Sequence, residues 1–104
     1  MGQTIRWSPV AHDDLRDAVA YIAEGSPAYA DALIDTVFEA VDGLSTFPRM
    51  GHVVPEFDRP DLRQISVRPY RLIYQVRSDD VLVVALVHGA RDLGRAWQGR
   101  SSGD

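Results

Sequence analysis

Hydrophobic and polar positions along this chain follow two different periods, and the change between them divides the fold. Ala11, Leu15, Ala18, Val19 and Ile22 recur at steps of three and four, the spacing of one face of an amphipathic helix. Ala30, Leu33, Ile34, Val37, Phe38, Val41 and Leu44 repeat that pattern over a longer stretch. Ser8-Pro9 and Ser26-Pro27 stand before the two runs, each placing an N-cap serine ahead of a proline at the first helical position, where its missing N–H is not needed. Glu24-Gly25 closes the first helix and Phe47-Pro48 the second, because a residue before proline avoids the helical region. The two runs therefore predict a helical hairpin.

After about Arg63 the period falls to two. Ile65 and Val67 share one face of a strand over Arg63 to Arg68, and Leu72, Tyr74 and Val76 share one face of a second strand over Arg71 to Arg77. Arg68-Pro69-Tyr70 turns the chain between them, and Ser78-Asp79-Asp80 makes the next turn. Val81 to Val87 then runs without a charge, as an interior strand does. Gln3 to Trp7 predicts an opening strand, and Arg49 to Asp61, rich in Pro, Gly and Asp, predicts an exposed functional loop. The expected fold is α+β: an N-terminal strand, a two-helix hairpin and a three-stranded antiparallel meander. Residues 1–97 form one domain on this view, and 98–104 a disordered tail.

Composition narrows the chemistry. At 104 residues the chain builds a single modest core. It has no cysteine, and His12, His52 and His88 are too scattered for a metal motif, so no metal or cofactor is expected. No apolar run approaches the roughly 20 residues that span a bilayer, and a cytoplasmic protein with no membrane partner is expected. A net charge of −4 argues against extensive nucleic-acid binding. Yet Arg63, Arg68, Arg71, Arg77, Arg91, Arg95 and Arg100 all fall in the second half, which leaves room for a local basic face. All 11 cations are arginines, suited to forked contacts with phosphate or carboxylate.

Ser8-Pro9-x-Ala11 with Asp14-Leu15, Tyr21-Ile22, Phe47-Pro48-x-x-Gly51, Val54-Pro55-Glu56, Arg63, Tyr70-Arg71-Leu72-Ile73-Tyr74 and His88-x-x-Arg91-Asp92 occur in that order across nearly the whole chain. In this combination the sequence resembles the RelE/ParE toxin superfamily of type II toxin-antitoxin systems, nearer to ParE. The resemblance implies a bacterial growth-arrest toxin of the kind that stabilises plasmids. It also implies two helices packed on one side of a small twisted antiparallel sheet, and a cognate antitoxin whose C-terminal segment wraps the toxin in a hetero-oligomer. RelE-like members cleave mRNA in the ribosome, whereas ParE-like members inhibit DNA gyrase without catalysis.

By the same resemblance, Arg71 matches the strand arginine that meets phosphate and Arg91 the later arginine near the C-terminus. Glu56 falls where some nuclease members keep a carboxylate base, and His88 is the histidine placed near Arg91. A nuclease would use Glu56, Arg71, His88 and Arg91. The C-terminal tyrosine of RelE-like nucleases falls at about Trp97, whose indole stacks on a base but transfers no proton, and lysine is absent. The expectation is therefore a ParE-like gyrase inhibitor with Arg63, Arg68, Arg71, Arg91 and Trp97 on its target-binding surface. A ribosome-dependent mRNA endoribonuclease is the alternative, and a non-toxic antitoxin-binding module the second. Bland roles compete at each position. Arg63, Arg68 and Arg77 also suit solvated strand positions or partners for antitoxin carboxylates, His88 a structural strand end, Glu56 an ion pair with Arg63 or Arg71, and Tyr74 the core.

Overall fold

The structure, a computed structural model, describes residues 2–89. Seven elements follow one another: β1 (Thr4–Trp7), α1 (Pro9–Gly25), α2 (Pro27–Thr46), β2 (His52–Val53), β3 (Leu62–Val67), β4 (Tyr70–Val76) and β5 (Asp80–His88). Both helix starts form as the Ser-Pro pairs predict. The Ser8 hydroxyl accepts the Ala11 N–H at 3.0 Å and the Ser26 hydroxyl that of Tyr29 at 3.3 Å. Such caps each contribute about 1 kcal/mol.

The strands form one sheet in the order β1-β5-β4-β3-β2. The meander is antiparallel as expected, but β1 lies parallel to β5, with Thr4 to Trp7 opposite Asp80 to Val83. This corrects the expectation of an all-antiparallel sheet, and its cause is the helical hairpin, which carries the chain back across the sheet as a crossover. β5 becomes the interior strand that its uncharged run predicts. Beyond Val83 the outer edge of β5 meets the start of α1 instead of β1. The Ser8 N–H bonds the Val83 carbonyl at 2.9 Å, the Ser8 hydroxyl donates to the Val84 carbonyl at 3.1 Å, and the Asp14 carboxylate accepts the Leu86 N–H at 3.0 Å. Polar side chains thus cap a strand edge that would otherwise invite pairing.

Both helices cover one face of the sheet. Ala11, Ala18, Leu33, Val37, Val41 and Leu44 pack there against Val67, Leu72, Tyr74, Val81, Val83 and Leu86, with Ile65 and Val76 beside them. The opposite face holds a smaller cluster of Val54, Leu62, Ile73, Ala85 and Val87, flanked by Phe57. The segment expected as an exposed irregular loop is partly structured: it contains β2, and both Gly51 and Val54 are buried. Val54 donates its N–H to the Leu62 carbonyl at 3.1 Å, so the segment extends the pairing with β3 and folds its apolar residues under that second face.

Candidate functional site

Alternation along β4 sends Leu72 and Tyr74 toward the helices and Arg71 and Ile73 to the opposite face. Arg71 lies there with its side chain only 15% exposed. Its guanidinium forms a fork to the Glu56 carboxylate, Nη1 to Oε1 at 3.2 Å and Nη2 to Oε2 at 2.8 Å, and Nη1 also donates to Gln64 Oε1 at 2.9 Å. Of the two pairings open to Glu56, the structure forms the one with Arg71. A forked pair of this kind fixes the plane of the cation, which a lysine ammonium would not. It also ties the 54–61 segment to the centre of the sheet.

Arg63 faces the other way, on the helix side with Ile65 and Val67. Its Nε donates to the Pro60 carbonyl at 3.0 Å, and its Nη1 to the carbonyls of Gly51 at 3.0 Å and Arg49 at 3.3 Å. These bonds brace the loop. Beside it the buried Tyr74 hydroxyl accepts the Gly51 N–H at 2.9 Å, and burial pushes the Tyr74 pKa above its ordinary value. Arg68 is exposed at the β3–β4 turn, bordering a groove with Ile22, Tyr29, Leu33 and Pro69. Arg77 grips Asp80 with two bonds of 2.6 and 2.7 Å, and Asp80 also reaches Arg6 at 3.0 Å, joining β1 to the β4–β5 turn. That pairing with Arg77, then Arg6, holds the Asp80 pKa below the usual carboxylate range.

Among the described residues the expected arginines therefore do not converge: Arg63 and Arg71 occupy opposite faces, and Arg68 borders a helix-side groove. Arg91 and Trp97 lie outside the described residues, as does the 98–104 segment. His88 pairs in register with Tyr70 and meets its ring edge-on at 5.9 Å, on the helix side, since Tyr70 packs against the main core. Glu56 and His88, the acid-base pair of the nuclease alternative, thus sit on opposite faces of the sheet. Among the described residues no group of three or more His, Asp or Glu side chains has the geometry to hold a metal ion. No helix among them is long and apolar enough to cross a membrane. Two positions are unmarked in the sequence: Gln64, the second acceptor for Arg71, and Arg49, whose carbonyl holds Arg63; Gly51, marked only as part of the Phe47-Pro48-x-x-Gly51 motif, is the donor to Tyr74. Gln64 was findable in principle, because it alternates with Ile65 and so must face away from the helices.

Large apolar side chains remain exposed along the helical hairpin and just after it: Val10, Tyr21, Tyr29, Phe38, Phe47 and Met50.

A two-helix layer on a small mixed sheet, with exposed apolar side chains on the helices and a braced arginine on the far face, defines a small α+β domain. The fold matches that of a chain from the chromosomal ParDE toxin-antitoxin system of P. aeruginosa, with a TM-score of 0.65 at 20% identity, over 83% of this chain and 95% of that one. The family model for the ParE toxin of type II toxin-antitoxin system, parDE, matches residues 5–93. Toxin ParE3 of Caulobacter vibrioides is 30% identical over 93 residues, spanning 89% of this chain and 92% of the relative. The chain belongs to the ParE toxin family of type II toxin-antitoxin systems, as the ordered motifs suggest, and membership implies an antitoxin partner.

Proposed function

We propose that this toxin arrests growth by inhibiting DNA gyrase, without nuclease chemistry of its own, and that a cognate antitoxin neutralises it. The observation that carries this reading is the separation of Glu56 from His88 by the sheet. Cleavage at a ribose 2′-OH needs a base on one side of the phosphate and an acid for the leaving oxygen, both within hydrogen-bond reach of one substrate. Glu56 is instead committed to a forked pair with Arg71. Net charge supports the same conclusion, because a chain at −4 is poorly suited to docking in ribosomal RNA. Arg71, held in plane by its fork at the centre of the far face, is the described residue assigned to the target; Arg91 and Trp97, the other contacts the resemblance implies there, lie outside the described residues.

Purified toxin added to gyrase and relaxed plasmid is expected to block supercoiling or trap cleaved DNA, and added to translating ribosomes to leave message uncut. Codon-phased mRNA cuts that vanish in His88→Ala or Glu56→Gln would overturn the proposal in favour of the endoribonuclease.

A further inference from the structure

Both terminal nitrogens of Arg71 are engaged within the chain. The Glu56 carboxylate takes one N–H from Nη1 at 3.2 Å and one from Nη2 at 2.8 Å, and Gln64 Oε1 takes a second from Nη1 at 2.9 Å. Nε is turned inward with no accessible surface. The edge of the guanidinium that an incoming group would grip is therefore the edge that Glu56 covers. The two holders differ. Gln64 is neutral and lies within β3, paired with Ile73 on one side and His52 on the other, whereas Glu56 is charged and sits between Pro55 and Phe57 in the turn after β2. Its side chain is 28% exposed, against 15% for Arg71. Rotating that side chain into water leaves the 54–61 backbone where Val54 and Asp61 fasten it to the sheet. Arg71 then stays aimed by Gln64, with one N–H released on each terminal nitrogen.

We propose that Glu56 is a lock on Arg71: its carboxylate fills the seat of a carboxylate on the target protein and must swing out before the toxin engages. The proposal rests on the reading above that Arg71 meets the target. A carboxylate suits the seat because the fork already holds one in plane, and a chain at −4 is poorly matched to the phosphates of nucleic acid. The exchange trades one forked ion pair for another. A toxin that is locked most of the time binds with an affinity reduced in proportion to its small unlocked fraction.

The test compares full-length wild type, Glu56→Gln, Glu56→Ala and Asp58→Asn by supercoiling inhibition, by calorimetric affinity for gyrase without DNA and for duplex DNA alone, and by thermal melts. Both Glu56 variants are expected to inhibit and bind gyrase at concentrations lower by about fivefold or more, with melting temperatures equal to or below that of the wild type. A brace that merely shaped the site would lose potency along with stability, so opposite signs identify the lock. Asp58→Asn removes the same charge from the same segment, at a φ of 50° that asparagine tolerates, and should stay within about twofold of wild type. Potency unchanged or reduced in both Glu56 variants overturns the lock, as does failure of both to fold, since a releasable side chain is not one the fold requires. An equal gain in Asp58→Asn overturns it in favour of a general charge effect, and a gain confined to duplex DNA overturns the choice of a protein carboxylate. Wild type that arrests growth yet leaves gyrase untouched overturns the gyrase reading instead; the lock is then upheld by growth arrest at lower expression of Glu56→Ala, and overturned without it.

Discussion

Replacing Gly51 by alanine tests how firmly the loop is fastened to the sheet. A Cβ built at Gly51 lies 2.6 Å from the Gln64 carbonyl oxygen, 2.7 Å from the Tyr74 hydroxyl and 3.0 Å from Tyr74 Cε1. None of the three can move aside easily. Gln64 is held in the sheet between His52 and Ile73, and Tyr74 is fully buried. Overpacking of this kind costs about 1–3 kcal/mol, and distorting the Gly51 to Tyr74 hydrogen bond adds about 0.5–1.5 kcal/mol. The sum, about 2–4 kcal/mol, is a large part of the roughly 5–15 kcal/mol that holds a domain of this size. Thermal unfolding followed by circular dichroism should show a melting temperature lower by about 10 °C or more, at roughly 4–8 °C per kcal/mol. Gly25→Ala is the control. Nothing lies within 4 Å of its Cβ and its φ is not positive, so that variant should be unchanged or more stable by about 0.4–1 kcal/mol. A Gly51→Ala protein that melts with the wild type would refute the close approach of loop, strand and tyrosine.

Tyr74→Phe leaves the Gly51 N–H without its acceptor and should cost about 1–2 kcal/mol at neutral pH. Because burial raises the Tyr74 pKa in the folded state, its contribution is complete below about pH 10 and is lost as pH rises through the raised value; denaturant melts should lose stability on that alkaline limb in the wild type and less so in the variant. For Asp80 the sign reverses: Arg77 and then Arg6 lower its folded pKa, so its contribution is present above about pH 4 and disappears as pH falls through the lowered value. Asp80→Asn should therefore flatten the acid limb and speed amide exchange in β1, and an unchanged acid limb would count against the Arg6–Asp80–Arg77 link. Arg71→Ala strips Glu56 and Gln64 of a shared donor, for about 1–2 kcal/mol in this partly exposed setting. It should keep the fold and the antitoxin affinity while abolishing growth arrest, and full toxicity at equal soluble levels would remove Arg71 from the target surface.

The helices were legible because their signals are local: a serine, a proline and an apolar face within one stretch of chain decide where each begins and what it buries. Ile65, Val67, Leu72, Tyr74 and Val76 were placed on the correct face by the same economy, since a strand's period needs no knowledge of its neighbour. Pairing between distant segments was not legible. Nothing in Thr4–Trp7 says that its partner is Asp80 to Val83, or that the pairing is parallel. Val53 and Val54 form only a two-residue apolar run among prolines, glycines and acids, too short for periodicity to give Val54 a face, and its burial comes from the sheet it meets.

Of the described candidate residues, Glu56 and Arg71 meet while His88 lies apart, for a reason that the register of β5 supplies. Tyr74 pairs with Val83 and Ile73 with Ala85, so Val84 is an extra residue in β5 without a partner on β4. A bulge of one residue reverses the alternation beyond it. Val81 and Val83 face the helices, and so does Leu86, which strict alternation from Val83 would send to the other side. His88 follows Leu86 at a spacing of two and is carried to the helix side with it, beside Tyr70. Without the bulge it would have shared a face with Arg71 and Glu56. A single inserted residue, invisible in a run of seven uncharged positions, thus keeps the histidine and the carboxylate apart and leaves Arg71 bound to its fork as a rigid cation on its own side of the sheet.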